Sequence, residues 1–156
     1  ETALARALDP ARADYDVIVL DCSPSLGLLT INALAAADDV LVPLQCEMLG
    51  HRGVGQLLDT VEDVKHLVNP GLEIVGLLPV MFDPRTTHAR AVLADLAGRY
   101  GVPVLEPPVP RSVRFAEATA LGRTVLRTAR TSKGAEAYRQ VAAALVRTWT
   151  ARTGGE

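Results

Sequence analysis

Three short apolar runs in this chain carry almost no polar alternation: "VIVLD" at Val17–Asp21, "VLVPLQ" at Val40–Gln45 and "IVGLLPVMF" at Ile74–Phe82. A strand with one wet face alternates apolar and polar residues, whereas a strand covered on both faces has no need to. Between the runs lie stretches of helical periodicity. Strands separated by helices predict βαβ units, hence an α/β fold: a parallel sheet with flanking helices.

The helices are read from periodicity and punctuation. Residues 1–9 read as the end of a helix stopped at Asp9-Pro10, and Leu26–Ala37 as a well-buried helix. Gly53–Leu67 repeats apolar residues at Val54, Leu57, Leu58, Val61, Val64 and Leu67, and Asn69-Pro70-Gly71 closes it. Thr87–Tyr100 is predicted helical with Gly101 beyond it, and Val102–Leu105 is predicted as a fourth short strand. Ser112–Leu121 and Ser132–Trp149 complete the set, with Ser132 as N-cap. The expected layout is one domain over 1–149 and a polar, frayed tail over 150–156.

Ligands of such sheets bind outside the carboxyl ends of the strands. Asp21, Gln45, Glu47 and Asp83 follow the apolar runs and are expected on one rim. A charge closing an apolar run has two readings. It either meets a cationic ligand or metal ion, or it accepts backbone N–H groups in the turn that follows.

Composition narrows the classes. Apolar residues make up 49% and aromatic residues only 4%, so the core rests on Leu, Val and Ala. No run of about 18 apolar residues exists, which excludes a membrane-spanning helix. Cys22 and Cys46 are read as reduced thiols, buried or near a site, because their spacing is no redox motif. His51, His66 and His88 lack zinc-ligand spacing, and Ser23 and Ser25 lack a nucleophile elbow. The net charge of −2 conceals an asymmetry: residues 1–84 carry 4 Lys/Arg against 13 Asp/Glu, and residues 85–156 carry 12 against 5. A basic half suits a polyanion partner, or it is simply a solvated set of helix faces.

Four segments in order, "YDVIVLDCSPSLGLLTINALAAADDVLVPLQCE", "GLLPVMFDPRTTHARAV", "VPRSVRFAEATALGRTV" and "TSKGAEAYRQVAAAL", resemble the ParA branch of the ParA/MinD family of P-loop ATPases. The resemblance runs from Tyr15 to Leu145. It implies a doubly wound P-loop NTPase domain of AAA type that binds ATP and Mg²⁺. Asp21 would be the Walker B acid, holding Mg²⁺ through a water. Magnesium takes oxygen ligands and keeps several waters, so one fixed carboxylate suits it. Cys22–Gly27 resembles the switch that senses the γ-phosphate. Pro110, Arg111 and Ser112 take the base-contacting positions; many relatives carry Asn at the place of Ser112. Arg85 and Arg114 take the positions that bind DNA without sequence preference, a task suited to a planar, permanently charged fork.

The family's phosphate loop ends in Gly-Lys-Thr, and this sequence contains no Gly-Lys dipeptide. "GRT" at Gly122–Thr124 follows no apolar run and is rejected. The P-loop segment is therefore expected to precede Glu1, which makes the domain incomplete and these residues alone inactive as an ATPase. By resemblance the complete protein is a cytoplasmic, nucleoid-associated ATPase. It segregates chromosomes or plasmids, dimerises in its ATP state and meets nonspecific DNA and a ParB-like partner, with no membrane anchor. The alternative is a non-catalytic truncated paralogue acting as a DNA-binding or decoy subunit.

Overall fold

Glu73–Val80 forms the central strand, and its burial shows why. From Val75 to Pro79 every residue is buried, so both faces are covered. In chain order, this computed structural model contains α1 (Ala3–Leu8), a 3-10 turn (Asp9–Ala13) and α2 (Leu28–Ala36). β1 (Asp39–Gln45), α3 (Gly50–Leu67), β2 (Glu73–Val80) and α4 (Thr87–Tyr100) follow, then α5 (Val113–Ala120), α6 (Val125–Thr128) and α7 (Lys133–Thr153). The described residues are 2–23, 25–46 and 50–153. β1 and β2 are hydrogen-bonded neighbours joined through α3, a parallel βαβ arrangement.

The chain divides into two compact units, residues 1–41 with 51–75 and residues 42–50 with 76–156. The first has its own core of Leu34, Val61, Val64 and Leu72, against which Ile31, Val40, Leu57 and Ile74 pack. Helix α3 thus buries the stripe its periodicity predicts, except that Leu67 is 82% exposed. Asn69, just past α3, donates through Nδ2 to the carbonyls of Leu34 (3.0 Å) and Ala37 (2.7 Å). One side chain just past α3 therefore satisfies carbonyls that the end of α2 leaves unpaired. Arg12 donates to the Ala36 carbonyl at 3.0 Å from the other direction.

The second unit is built on Leu78, Val109, Ala137 and Val141, with Val80, Leu105, Phe115 and Leu145 beside them. A smaller cluster of Ala118, Val125 and Ala135 also meets Phe115. Phe115 stacks edge-on against Tyr138 at 5.8 Å. Gly134 is where α7 lets Phe115 approach, since a Cβ there would lie 2.5 Å from the ring. Ser132 accepts from the Ala135 N–H at 3.2 Å, as a cap should.

Several expectations need correction. Residues 17–23 form no strand, and Val17, Ile18 and Val19 are 48%, 37% and 83% exposed. A parallel strand is stable only with neighbours to accept its hydrogen bonds and cover its faces. Among the described residues no strand pairs with this run. β1 is a strand as expected, but it is covered on one face only: Val42 and Leu44 are buried, while Leu41, Pro43 and Gln45 are exposed. Val102–Leu105 contributes a single bridge, Val104 to Leu77, in place of a strand. Prolines explain that shortfall. Pro103, Pro107, Pro108 and Pro110 have no N–H to give a ladder.

The remaining differences concern helix ends and one additional short helix. The first helix does not stop at Asp9-Pro10; it tightens into the 3-10 turn through Ala13, where a proline in the first turn loses no bond. α6 was not anticipated, and α7 runs past Trp149 to Thr153.

Candidate functional site

The second unit builds its rim at the carboxyl end of β2. The strand ends at Val80, and Met81 turns the chain with φ of 54°. A methionine in the left-handed region is a strained position of the sort that gathers at ligand-facing turns. Phe82 then resumes pairing. Its N–H donates to Val109 O at 3.0 Å, and its carbonyl accepts from Arg111 N–H at 3.0 Å. Below it, Val109 N–H donates to Pro79 O and Leu105 N–H to Leu77 O, both at 2.8 Å. The proline-rich segment 103–111 is therefore laid parallel along β2, bonding to it through the N–H groups of Leu105, Val109 and Arg111. Phe82 and Pro110 form its last bridge.

That ladder fixes Pro110, Arg111 and Ser112 against the end of β2. Pro110 and Ser112 are half-buried and Arg111 is exposed. The Ser112 hydroxyl accepts from Arg114 N–H at 3.2 Å and caps α5. Its oxygen is occupied in starting a helix, and its own proton remains available as a donor.

The neighbouring turn, Asp83 to Thr86, is equally ordered. Asp83 accepts from Arg85 three times: from the backbone N–H at 3.0 Å, from Nε at 2.9 Å and from Nη2 at 2.7 Å. The Arg85 side chain is 87% exposed and that of Asp83 only 22%. Hydrogen bonds from the Arg85 guanidinium, and then from its backbone, bring the Asp83 carboxyl down to about 2, with the charges of Arg85 and Arg111 adding to the effect. Thr86 caps α4 by accepting from Ala89 N–H at 3.3 Å. On α5, Arg114 Nη1 pairs with Glu117 Oε2 at 2.9 Å. Arg90, Arg123, Arg127, Arg130 and Lys133 are exposed in the same unit. Both arginines singled out in the sequence thus stand on the surface, each with a carboxylate partner. The signals were present: Asp-Pro-Arg is an Asx-turn sequence, and Glu117 is three residues beyond Arg114 on a helix.

Asp21 lies in the first unit, exposed and outside any strand. Cys22 beside it is exposed, whereas Cys46 is buried, and burial raises the Cys46 thiol above its ordinary value. Of the switch-like turn, Pro24 lies outside the described residues; so do Glu47, Met48 and Leu49 beyond β1. Among the described residues no cluster of three His, Cys, Asp or Glu is arranged to hold a metal ion. A lone carboxylate does not fit a bare ion. It does fit Mg²⁺ arriving with phosphates, which keeps its waters and takes one or two carboxylates. No helix among the described residues is long and apolar enough to cross a membrane.

Comparison with known proteins places this geometry in context. A family described as "AAA domain" matches residues 1–74. The chain is 46% identical to the chromosome partitioning protein ParA of Myxococcus xanthus over 88% of its own length and 49% of that protein's. It is 46% identical to the chromosome-partitioning ATPase Soj of Thermus thermophilus, covering 90% of this chain and 56% of that one. Among solved structures, it superposes with a TM-score of 0.80 on one titled cobyrinic acid a,c-diamide synthase from Mycobacterium smegmatis, with bound ATP analog and magnesium. That match is 51% identical and covers 96% of this chain and 54% of the other. The chain thus spans about half the length of the curated relatives it matches.

Proposed function

The chain is a partial homologue, about half-length, of the ParA/Soj-type P-loop ATPases of the ParA/MinD family, and from that premise we propose that it supplies three parts of a partitioning ATPase. These are the acid that anchors nucleotide-bound Mg²⁺, Asp21; the loop beside the base, Pro110, Arg111 and Ser112; and an arginine surface for nonspecific DNA, Arg85 and Arg114. Magnesium would supply charge neutralisation at the phosphates, with Asp21 orienting one of its waters.

One observation supports the reading most. Segment 103–111 is laid along β2, which holds Arg111 and the start of α5 at the rim that also carries the Asp83–Arg85 turn. A rim of exposed guanidiniums suits phosphate backbones, whose recognition is electrostatic and independent of sequence. Since the 156 residues include no Gly-Lys phosphate loop, they do not hydrolyse ATP unaided. Positioned phosphates carry most of the catalysis in such enzymes. Dimerisation in the ATP state, a ParB-like partner and a place on the nucleoid belong to the same proposal.

The test is binding of this chain to a nonspecific duplex across a salt series. Binding should weaken steeply with salt, and Arg85→Ala with Arg114→Ala should lower both the affinity and the slope. An unchanged affinity and slope in the double variant would sink the DNA assignment. A second reading, a diamide synthase, is favoured by the likeness to the 51% identical cobyrinic acid a,c-diamide synthase from Mycobacterium smegmatis. It expects no salt-dependent DNA binding, so the same experiment separates the two. A non-catalytic DNA-binding or decoy subunit would bind DNA but give no ATPase even when joined with a phosphate-loop polypeptide.

A further inference from the structure

Each of the two arginines offered to DNA is already engaged by a carboxylate of its own unit. Asp83 takes the Nε–Nη2 edge of Arg85 side-on at 2.9 and 2.7 Å, and Glu117 takes Nη1 of Arg114 at 2.9 Å. Carboxylate and phosphate oxygens compete for the same donors, in the same planar geometry. The two pairs differ in how firmly they are built. Asp83 is largely shielded and receives a third bond from the backbone, so its carboxylate stays in place whether or not Arg85 leaves. Glu117 is about as exposed as Arg114, at 54% against 59%, and among the described residues Arg114 is the partner that holds it.

We propose that Asp83 and Glu117 are built-in competitors for phosphate: they hold Arg85 and Arg114 when DNA is absent and set how weakly the chain grips a duplex. The proposal rests on the DNA reading above. A phosphate reaching Arg85 meets a guanidinium with one edge taken and its charge offset by a carboxylate that does not withdraw. At Arg114 the phosphate displaces Glu117 outright. Asp83 therefore lowers affinity by persistent charge, and Glu117 by exchange. A surface restrained in this way binds DNA in a readily released form, which suits a protein that must let go.

The experiment removes each negative charge without changing shape. Asp83→Asn keeps the Oδ1 acceptor for the Arg85 N–H, and Glu117→Gln lies on an exposed helix surface, so both variants should match the parent by circular dichroism. Binding of the 156-residue chain to a nonspecific duplex is followed by anisotropy over a salt series, beside Arg85→Ala with Arg114→Ala. Each charge removal should tighten binding about 2- to 5-fold at low salt, the factor typical of one exposed ion pair. The double neutral variant should steepen the log–log salt slope by up to about 0.9 for each phosphate newly neutralised. If the neutral variants bind like the parent while the arginine variant loses binding, DNA binding stands and the competitor role falls. Weaker binding by Asp83→Asn overturns it too, because Asp83 would then be orienting Arg85 for phosphate. If the arginine variant binds like the parent, the DNA reading itself is what has failed.

Discussion

Leu77, in the middle of β2, is fully buried, whereas Val19, in the middle of Val17–Asp21, is 83% exposed. The two segments have the same kind of sequence, an apolar run with no polar alternation and an aspartate at or just beyond its end. β2 has a hydrogen-bonded neighbour on each side, β1 and the segment 103–111. Val17–Asp21 has no strand neighbour among the described residues. The difference teaches that an apolar run states only that it is able to be buried. Whether it becomes a strand depends on another backbone being there to accept its hydrogen bonds.

The sharpest way to break that comparison is to cut into both segments. Leu77→Ala should destabilise the protein by about 2–5 kcal/mol in urea unfolding, because it opens a cavity in a closed core. A loss below about 1 kcal/mol would mean that β2 is far less tightly enclosed than its burial indicates. Gly76→Ala should cost roughly 1–3 kcal/mol by the same measurement. Gly76 has φ of 154°, and a Cβ there would lie 2.7 Å from Pro103 O; strained positions cost about that much. The effect would confirm that segment 103–111 truly presses on β2.

Smaller still is the contribution of the turn beyond β2. The Asp83 carboxyl is lowered from 3.8 to about 2. A carboxyl depressed in the folded state stabilises fully above its unfolded value and loses that contribution as pH falls through its folded value. The Asp83–Arg85 contact should therefore be insensitive to pH through the neutral range and fade only between about pH 4 and pH 2. Carboxyl NMR of Asp83 reads this directly, and a midpoint near 4 would mean the contact is not maintained in solution. The smallest effect belongs to Val19→Ala, within about 0.5 kcal/mol of the parent. Amide exchange over 17–21 should accordingly be unprotected while Leu77 and Val109 exchange slowly. Protection of Val19 in this chain would abolish the contrast.

Particular elements show where sequence reading succeeded. The α3 stripe, the Gly101 end of α4 and the Ser132 cap of α7 were legible because each depends on neighbours a few residues away. The burial of β2 was legible because its run is long and uniformly apolar. Arg85 and Arg114 are singled out by resemblance alone, and their carboxylate partners, Asp83 two residues before one and Glu117 three residues after the other, are written in the local sequence. The interruption along 103–111 was written in its prolines, yet where that segment lies became clear only from the ladder to β2.

The sequence by itself determined the α/β class, the boundaries of the longer helices to within a few residues, the apolar runs able to form a sheet and the family to which they are related. Those properties follow from local periodicity, capping chemistry and motif order, all of which are carried along the chain. Only the tertiary structure decided which runs became strands, which face of β1 is covered, and that both candidate DNA-binding arginines are already held by carboxylates. Those outcomes depend on which backbones and side chains meet across long sequence separations or around a tight turn, and hydrogen bonds and burial are made only where they meet.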